Sequence, residues 1–580
     1  MFQRIILRIF TINIKMKILK KELKYKNEKD NFSIPLNTLN EGINNFNNFF
    51  IYKENSKFKI FDRVCDHNGG KLLTNNVSKE IICPLHGWKL DPKTGSYLNI
   101  KLKKKQIDFK IDNNSINFNL ENKFPVISNI NKDFDIEVKF INHACLVIKT
   151  EFVKFAIDPW VLGPAFLGGW WLKKKSPTNS FEELNSCDFI FISHNHPDHL
   201  HDLTLQKINP KMKYIFPNFK NKSVENYLKS LGKKNLKSLD FGYEYQIENT
   251  NLKICPFKSG DFRDDSGLYF NIGNFSAILA VDSNSLNFLK LPSSVTLLAS
   301  SFAGGASGFP VCFDNYQEQD KKKIVERNNK SLIIRNKQLI SITSPKYYMP
   351  YAGFFEEKAS RDKPIKKINK KITIKEYEKI LSKNKTKILN LEEHQIFRFN
   401  GKKLINKETT EKFLKEILVE KYIDFQKKNF KKIDKKQIKS YFIKSNFNSN
   451  LKIFVSLTDD NFKKSYENFY VDFRKKNIEF NFFEKKEEAS EEILKKNKFN
   501  IIYFKVRLDS FIKLINNMLP WEDLLIGFQA RIKRYPDVYN VDFWYHFTNI
   551  YVKKTRKSSI TQCNYCIRVM QSLNVPSNKL

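Results

Sequence analysis

The sequence predicts a multidomain α+β protein in which a small all-β domain precedes a layered α/β domain and a C-terminal α/β region. The chain has 580 residues, enough for several folding units of about 150 residues each. Hydrophobic residues make up 41% and charged residues 28%, which supplies large cores and excludes a disordered chain. Short strand-like runs come first, alternating strand and helix patterns follow, and a Lys-rich stretch precedes the last region.

The hydrophobic pattern sets the limits of the three regions. Residues 23–125 carry short apolar runs such as Phe49 to Tyr52 between Gly, Asn and Asp turns, which predicts the all-β domain. Residues 134–362 alternate apolar strands with helical patterns, which predicts the layered domain. Residues 376–580 form the C-terminal α/β region, to which the sequence assigns no role.

The segment 1–22 is interpreted as a leader or as sequence upstream of the true start. Arg4 and Arg8 interrupt its apolar run, and Met16 opens the first stretch with a globular pattern. The sequence contains no run of roughly 18 uncharged apolar residues, so no membrane span is expected. The 8 Cys residues are too few for a disulfide scaffold, which favours a cytoplasmic location.

Two pairs of cysteine and histidine lie in the first domain, fifteen residues apart. Cys65 and His67 form the first pair, and Cys83 and His86 form the second. One Cys and one His in each of two loops suit a cluster that binds two thiolates on one iron and two imidazoles on the other. Zinc ribbons use CxxC pairs instead, and the remaining alternative is four unrelated buried residues. The spacing therefore predicts a Rieske [2Fe-2S] centre.

A second concentration of histidine lies in residues 193–199, directly after an apolar run. The loop reads H-x-H-x-D-H, and this pattern after a buried strand resembles the metallo-β-lactamase superfamily. The resemblance implies an αββα sandwich whose loop directs side chains to two metal positions, with an Asp from a later strand end between them. Four unrelated polar residues in a turn are the alternative. The implied ligands are His194 and His196 at one position, Asp198 and His199 at the other, and the bridging Asp282.

Two further histidines lie near this loop in the sequence. His143 follows the first strand-like run of the domain, where it is expected to orient the substrate or a metal ligand. Its position is equally consistent with a buried core histidine. His201 is expected on the following helix, exposed to solvent rather than bound to metal.

The segments around both sites carry a more specific resemblance. The order of a Rieske module and a metallo-β-lactamase-like domain, together with these segments, is similar to the CMP-N-acetylneuraminate hydroxylase family from about Leu23 onward. The segments are Asp158 to Phe166 (DPWVLGPAF), Gly169 to Leu172 (GWWL), Phe302 to Pro310 (FAGGASGFP) and Trp521 to Leu524 (WEDL).

The resemblance implies an iron-dependent monooxygenase that converts CMP-N-acetylneuraminate to CMP-N-glycolylneuraminate with O₂. Electrons would come from NADH through a small donor protein, either a b-type cytochrome or a ferredoxin, and would pass through the Rieske cluster to a non-haem iron. Backbone N–H groups of a glycine-rich loop would bind the CMP phosphate. The implied loop residues are Gly304, Gly305, Ser307 and Gly308.

One position departs from the family pattern. Asp261 stands where the family has a histidine, since the spacing from residue 266 to Asp282 is retained. If Asp261 is a ligand, the site contains His194, His196 and a carboxylate, a set that suits non-haem Fe(II). The same change is consistent with an altered or lost metal site.

Two other functions stay open at this stage. The first is a metal-dependent hydrolase that uses metal-bound hydroxide and has a regulatory Rieske domain. The second is a Rieske oxygenase that acts on a different nucleotide sugar. A requirement for an electron donor separates the oxygenases from the hydrolase.

The chain carries a formal net charge of +39. Its Lys residues are spread over linkers and helix faces, and the sequence contains no recognisable nucleic-acid module, so nucleic acid is not an expected partner. A positive field of this size helps to attract a small anionic substrate and an acidic electron carrier.

Overall fold

In the computed structural model, a central αββα sandwich is flanked by an N-terminal all-β part and a C-terminal α/β part. This agrees with the fold class predicted from the sequence. The described residues are 17–46, 48–66, 72–74, 81–82, 89–98, 102–127, 129–219, 221–260, 263–382, 384–475, 477–483, 499–537 and 539–548.

Two mixed sheets form the sandwich, each with eight strands among the described residues. Their central strands are apolar on both sides, as expected of strands that are covered on both faces. The first sheet contains, in spatial order, Ile18–Glu22, Tyr243–Ile247, Leu252–Lys258, Ser266–Ile272, Phe275–Leu279, Leu297–Ser301, Tyr347–Tyr351 and Lys387–Ile388. The second contains Leu236–Leu239, Tyr214–Pro217, Phe189–Phe191, Lys154–Ile157, Cys145–Lys149, Asp135–Asn142, Ile396–Asn400 and Lys403–Glu408.

The two sheets pack face to face through a large apolar core. Phe155 of the second sheet meets Phe270 of the first edge to face, with ring centroids 5.4 Å apart. The helix Ser223–Ser230 buries Leu228 against the outer side of the second sheet. The long helix Glu318–Thr343 covers the outer side of the first. Helices on both outer faces make this the αββα arrangement that the histidine loop predicted.

Strands from outside residues 134–362 complete both sheets. Ile18–Glu22 pairs antiparallel at one edge of the first sheet. Ile396–Asn400 pairs with Asp135–Asn142 in the second. The domain limits stay predictions, but this pairing joins segments that the hydrophobic pattern separates. Residues 1–16 lie outside the described part of the chain.

In the N-terminal part, the described residues form three small antiparallel sheets. Phe50 and Phe61 pack beside Cys65 in one of its two cores. The strands are Lys24–Pro35, Ser115–Val126 and Phe109–Asp112 in the first sheet, Gly42–Asn45, Phe49–Glu54 and Lys57–Asp62 in the second, and Leu73–Thr74, Ile81–Ile82 and Lys89–Leu90 in the third. The all-β prediction for this domain is confirmed.

The C-terminal part is a mixed sheet packed against helices. Its core is aromatic and surrounds the fully buried Trp521. The same core includes Trp170 of the sandwich, so the two parts share one apolar interior. The strands of this sheet are Glu479–Phe482, Ser465–Asp472, Leu451–Thr458, Asn500–Arg507 and Ala530–Tyr535.

Within the described residues, no helix is both long enough and apolar enough to span a membrane. A two-stranded ribbon links Trp171–Leu172 with Phe355–Glu356. The α-helices are Ser180–Asn185, Asp202–Leu205, Ser223–Ser230, Glu318–Thr343, Lys363–Ile368, Ile374–Leu381, Val419–Asn429, Lys435–Lys444, Leu508–Asn517, Glu522–Ile526 and Val541–Thr548. Short 3₁₀ turns lie at Leu36–Thr38, Phe166–Gly168, Leu286–Leu289 and Ser360–Asp362.

Candidate metal centre

Loops at one rim of the sandwich bring the histidine and carboxylate side chains together. The strands Lys154–Ile157 and Phe189–Phe191 run parallel, so the residues that follow them emerge at the same edge. Asp158 follows the first of these strands and the histidine loop follows the second. Asp282 follows Phe275–Leu279 in the facing sheet.

At this rim the backbone is strained at three residues that lie just after strand ends. His143 has a φ of +46°, Asp158 of +44° and Val281 of +51°. Positive φ is costly for residues other than Gly, and most of all for a β-branched residue such as Val. Residues in such conformations cluster at functional sites, where the surrounding structure holds them.

Ring nitrogens of the loop histidines lie close to one another or to Asp282 at the centre of the site. The Nε2 atom of His194 lies 2.8 Å from Nδ1 of His196. The Nε2 atom of His199 lies 3.4 Å from an oxygen of Asp282. Ligand atoms of His194, His196 and Asp282 all lie within 4.8 Å of one another, which suits a shared metal ion.

The opposite ring nitrogens of two of these histidines are held by a buried hydrogen-bond network. Ser193 donates from its backbone N–H and its hydroxyl to the Asp158 carboxylate, at 2.7 and 2.6 Å. Because that hydroxyl proton is used, Ser193 Oγ accepts from Nδ1 of His194 at 2.8 Å. Asp158 accepts from Nδ1 of His199 at 3.0 Å. His194 and His199 therefore carry a proton on Nδ1 and direct the lone pair of Nε2 into the site. This tautomer is able to bind a metal through Nε2.

A second group surrounds Asp198. Its Oδ2 atom lies 3.0 Å from Nε2 of His143 and 3.2 Å from Nε2 of His199. Within the described residues, Nδ1 of His143 and Oδ1 of Asp198 are buried without a hydrogen-bond partner. Buried polar atoms are normally paired because leaving them unpaired is costly, so this donor set fits a metal ion.

Burial and mutual charge set the protonation of the cluster. Burial holds the pKa of His194 well below its ordinary value, and the neighbouring His199 and His196 lower it further. Burial opposes the charged form of His196 as well, but the carboxylate of Glu522 raises the pKa of His196 to about 9. Burial disfavours the charge on Asp198, yet His199 and His143 hold its pKa well below the usual range.

The structure brings together five predicted ligands and also His143. His143 is 1% exposed and lies against Asp198, not in the cleft beside the site. The solvent exposure expected for His201 is wrong: this residue is 2% exposed, is the N-cap of the helix Asp202–Leu205, and burial lowers its pKa to about 4. The predicted ligand Asp261 lies outside the described residues.

Sequence reasoning missed two carboxylates at this site. Asp265 lies with its Oδ1 atom 3.3 Å from Nε2 of His194. The retained spacing to Asp282 had pointed instead to Asp261, four residues earlier in the same acidic segment. The acidic composition of this segment is the feature that could have indicated Asp265. Glu522 comes from the C-terminal part, and its Oε2 atom lies 3.7 Å from Nε2 of His196. The segment Trp521 to Leu524 contributed to the family resemblance, but the sequence did not predict a role for Glu522 at the site.

A cleft of about 250 Å³ opens beside the cluster. Arg263 and Arg335 contribute guanidinium groups to its wall, and Phe166, Trp170 and Phe355 contribute aromatic rings. Trp170 and Phe355 stack with ring centroids 3.5 Å apart. The cleft therefore combines a positive part and an apolar part next to the histidines.

The predicted glycine-rich loop lines the same cleft in part. Gly304 and Gly305 have φ values of +70° and +68°, which side chains other than Gly rarely adopt. Both glycines and Ser307 line the cleft. Gly308 does not: a Cβ atom there would lie 2.5 Å from the carbonyl oxygen of Leu525, so Gly308 serves the packing of the C-terminal part.

Of the four predicted cluster ligands, Cys65 lies among the described residues. Cys65 is 1% exposed. The next residue, Asp66, donates its backbone N–H to the Tyr97 hydroxyl at 3.1 Å and accepts from that hydroxyl at 2.9 Å. The other three predicted ligands, His67, Cys83 and His86, lie outside the described residues.

Comparisons with known proteins agree with this architecture. Residues 30–112 match the Rieske [2Fe-2S] domain, and residues 137–271 match a β-lactamase superfamily domain. The fold and the site thus define an oxidoreductase that joins a Rieske iron–sulfur domain to a β-lactamase-type sandwich. The cytidine monophosphate-N-acetylneuraminic acid hydroxylase of Xenopus laevis is 30% identical over 542 residues, covering 86% of this chain and 88% of the relative. The chain belongs to this hydroxylase family and is a monooxygenase, as its motifs predicted.

Two further similarities were found. The hydroxylase of Macaca mulatta is 29% identical over 554 residues, covering 88% of this chain and 91% of the relative. Among solved structures, CmlA, a diiron β-hydroxylase from Streptomyces venezuelae, is 15% identical, with a TM-score of 0.30 and coverage of 48% of this chain and 55% of that chain.

Proposed function

We propose that this monooxygenase hydroxylates the N-acetyl group of CMP-N-acetylneuraminate to give the N-glycolyl product. One oxygen atom of O₂ enters a C–H bond of the methyl group, and the other is reduced to water with two electrons and two protons. The observation that carries the proposal is the cleft, which joins the histidine centre to two guanidinium groups and an aromatic wall. The names of the related hydroxylases support the same substrate.

The proposed metal ligands are divided between two domains. A non-haem iron in the sandwich and a [2Fe-2S] cluster in the N-terminal domain supply oxygen activation and single electrons, which side chains cannot supply. The residues proposed to hold the cluster are Cys65, His67, Cys83 and His86. The residues proposed to hold the iron are His194, His196, Asp198, His199 and Asp282, with Asp265 and Asp261 as the candidate carboxylates from the preceding segment.

Charge in the cleft matches the two anionic groups of the substrate. CMP-N-acetylneuraminate carries a phosphodiester and a carboxylate, and a guanidinium group can bind either one with paired hydrogen bonds. Arg335 extends from the long helix and donates to Asn284 and Ser301, which fixes its direction in the cleft. Arg263 lies across the cleft near Asp265. The Gly304 and Gly305 backbone adds N–H groups without side-chain bulk.

The aromatic wall of the cleft is suited to bind the methyl group that is hydroxylated. Trp170 and Phe355 are 2% and 1% exposed and form a rigid stacked pair. A methyl group placed against this wall is held by dispersion contacts, and water is kept from the site. His196 and Asp282 line the same cleft, so the methyl group would lie next to the proposed ligands.

The test is turnover by the full chain, purified without oxygen and supplied with Fe(II), a reductant and O₂. We expect CMP-N-acetylneuraminate to gain one oxygen atom, detected by mass spectrometry, only when both reductant and O₂ are present. Conversion of another nucleotide sugar but not this one would contradict the proposed substrate. Release of CMP without reductant or O₂ would support the hydrolase instead.

The electron donor is also part of the proposal. We infer a small acidic redox protein, either a b-type cytochrome or a ferredoxin that receives electrons from NADH. The net charge of +39 supports an acidic partner because opposite charge accelerates association. Measuring turnover with each carrier over a range of salt concentrations tests this part separately.

A further inference from the structure

The C-terminal part places one carboxylate at the mouth of the metal centre. Glu522 begins the short helix Glu522–Ile526, directly after Trp521. Trp521 is fully buried, and its Nε1 atom lies 3.1 Å from the Tyr441 hydroxyl in the C-terminal core. The start of this helix is therefore fixed by the C-terminal part, whereas the Glu522 carboxylate lines the cleft of the sandwich.

Two glycines let the helix approach the sandwich closely. A Cβ atom on Gly169 would lie 1.9 Å from the carbonyl oxygen of Gly527, and one on Gly527 would lie 2.1 Å from that of Phe166. Contacts this short leave no room for any side chain. Trp170 donates from Nε1 to the carbonyl of Ile526 at 2.8 Å and completes the junction. The position of Glu522 follows from this close backbone contact.

The contact at His196 completes a pattern shared by the three loop histidines. His194 has Ser193 on its outer nitrogen, and His199 has Asp158. For His196 the inner nitrogen is Nδ1, since that atom faces His194. The outer nitrogen is Nε2, and Glu522 lies 3.7 Å from it. Metal-bound histidines usually donate their outer N–H to a carboxylate or other acceptor, which fixes the tautomer and the ring orientation.

We infer that Glu522 is a positioning residue for the metal centre: its carboxylate lies on the Nε2 side of His196 and, by attracting Nε2–H, keeps the Nδ1 lone pair turned toward the metal. Thr548 supports the carboxylate by donating from Oγ1 at 3.1 Å. The C-terminal part, to which the sequence assigned no role, would thus orient one metal ligand of the sandwich. The inference rests on the proposed metal centre but not on the identity of the substrate.

The test compares metal binding by the full-length protein and three variants. Co(II) replaces iron as the probe, and its EPR signal is recorded with the iron–sulfur cluster oxidised and therefore silent. Glu522→Ala removes the acceptor, and Glu522→Gln retains an oxygen that can accept from Nε2–H. Asp509→Asn is the matched control: it is another buried acid of the C-terminal part, and it pairs with Arg361 at 3.0 Å.

We expect Glu522→Ala to lower Co(II) affinity about 10–100-fold and to change the EPR signal, as is typical when such an outer acceptor is lost. Glu522→Gln should recover part of the affinity, and Asp509→Asn should keep both the affinity and the signal. Wild-type affinity and an unchanged signal in Glu522→Ala would overturn the inference. An equal loss in Asp509→Asn would also overturn it, because the effect would then come from docking alone. Failure of the wild-type protein to bind Co(II) would instead contradict the metal centre itself.

Discussion

The Oδ2 atom of Asp158 lies 3.0 Å from Nδ1 of His199, and both side chains are fully excluded from solvent. The same carboxylate accepts two hydrogen bonds from Ser193. One carboxylate therefore orients His199 directly and His194 through the Ser193 hydroxyl. Since Asp158 directly follows one strand and the histidine loop follows the neighbouring parallel strand, this network couples the sheet to the metal centre.

Replacing Asp158 should damage both stability and metal binding. Asp158→Ala leaves the backbone N–H and hydroxyl of Ser193 and the ring N–H of His199 without their buried acceptor. We expect a loss of about 3 kcal/mol or more in the free energy of unfolding, and an affinity for Fe(II) or Co(II) lowered about 10–100-fold. Urea unfolding and metal titration measure the two effects.

Asp240→Asn is the control for this variant. Asp240 is a half-exposed carboxylate of the same sandwich, paired with Lys20 at 2.7 Å. Surface pairs contribute little, so its unfolding free energy should change by less than about 1 kcal/mol and its metal affinity should not change. Metal affinity of wild-type strength in Asp158→Ala would show that Asp158 does not orient the ligands.

Substituting Gly527 should separate the C-terminal part from the metal centre. Its φ of −83° is ordinary, so Gly527→Ala acts through the clash with Phe166 and not through backbone conformation. We expect a destabilisation of about 1–3 kcal/mol, together with faster proteolysis of the C-terminal part and weaker retention of iron. Gly232→Ala is the control, since Gly232 has a φ of +75° and no atom near the added Cβ. That variant should lose stability but keep iron, and equal iron loss in both variants would exclude docking as the cause.

The limits of sequence reasoning follow from how far apart the site residues lie in the chain. His194 to His199 occupy one loop after one strand, so their local pattern predicted both the sandwich and the cluster. Asp265 was missed because spacing selected a different carboxylate in the same segment. Glu522 and Arg335 reach the cleft only through docking of the C-terminal part and packing of a long helix, and neither contact has a local sequence signal.

Removing the charge of Arg335 should weaken substrate binding. A charge-assisted hydrogen bond to an anion contributes about 1.5–3 kcal/mol, so Arg335→Met should raise KM for CMP-N-acetylneuraminate by about tenfold or more. We expect kcat to change less, because Arg335 lies along the cleft and not among the proposed ligands. Steady-state kinetics with a saturating electron donor measures both constants.

Arg327→Met provides the matched control on the same helix. Arg327 is exposed and does not line the cleft, and the substitution removes the same charge from the protein. A similar rise of KM in both variants would indicate a general electrostatic effect of the positive surface. A rise confined to Arg335→Met supports a direct contact with the substrate.

The Tyr97 hydroxyl should influence the Rieske cluster through the loop that carries its first two predicted ligands. The hydroxyl both accepts from the backbone N–H of Asp66 and donates to its carboxylate, between Cys65 and His67 in sequence. In Tyr97→Phe these two bonds are lost and Asp66 is held less firmly beside Cys65, so we expect hydrogen bonding to the cluster sulfurs to weaken. Because hydrogen bonds to the sulfurs raise the reduction potential, we expect a lower potential and faster loss of the cluster in air. An EPR-monitored redox titration measures the potential, with Tyr52→Phe on the neighbouring strand Phe49–Glu54 as the control. An unchanged potential in Tyr97→Phe, or an equal shift in both variants, would contradict this role of Tyr97.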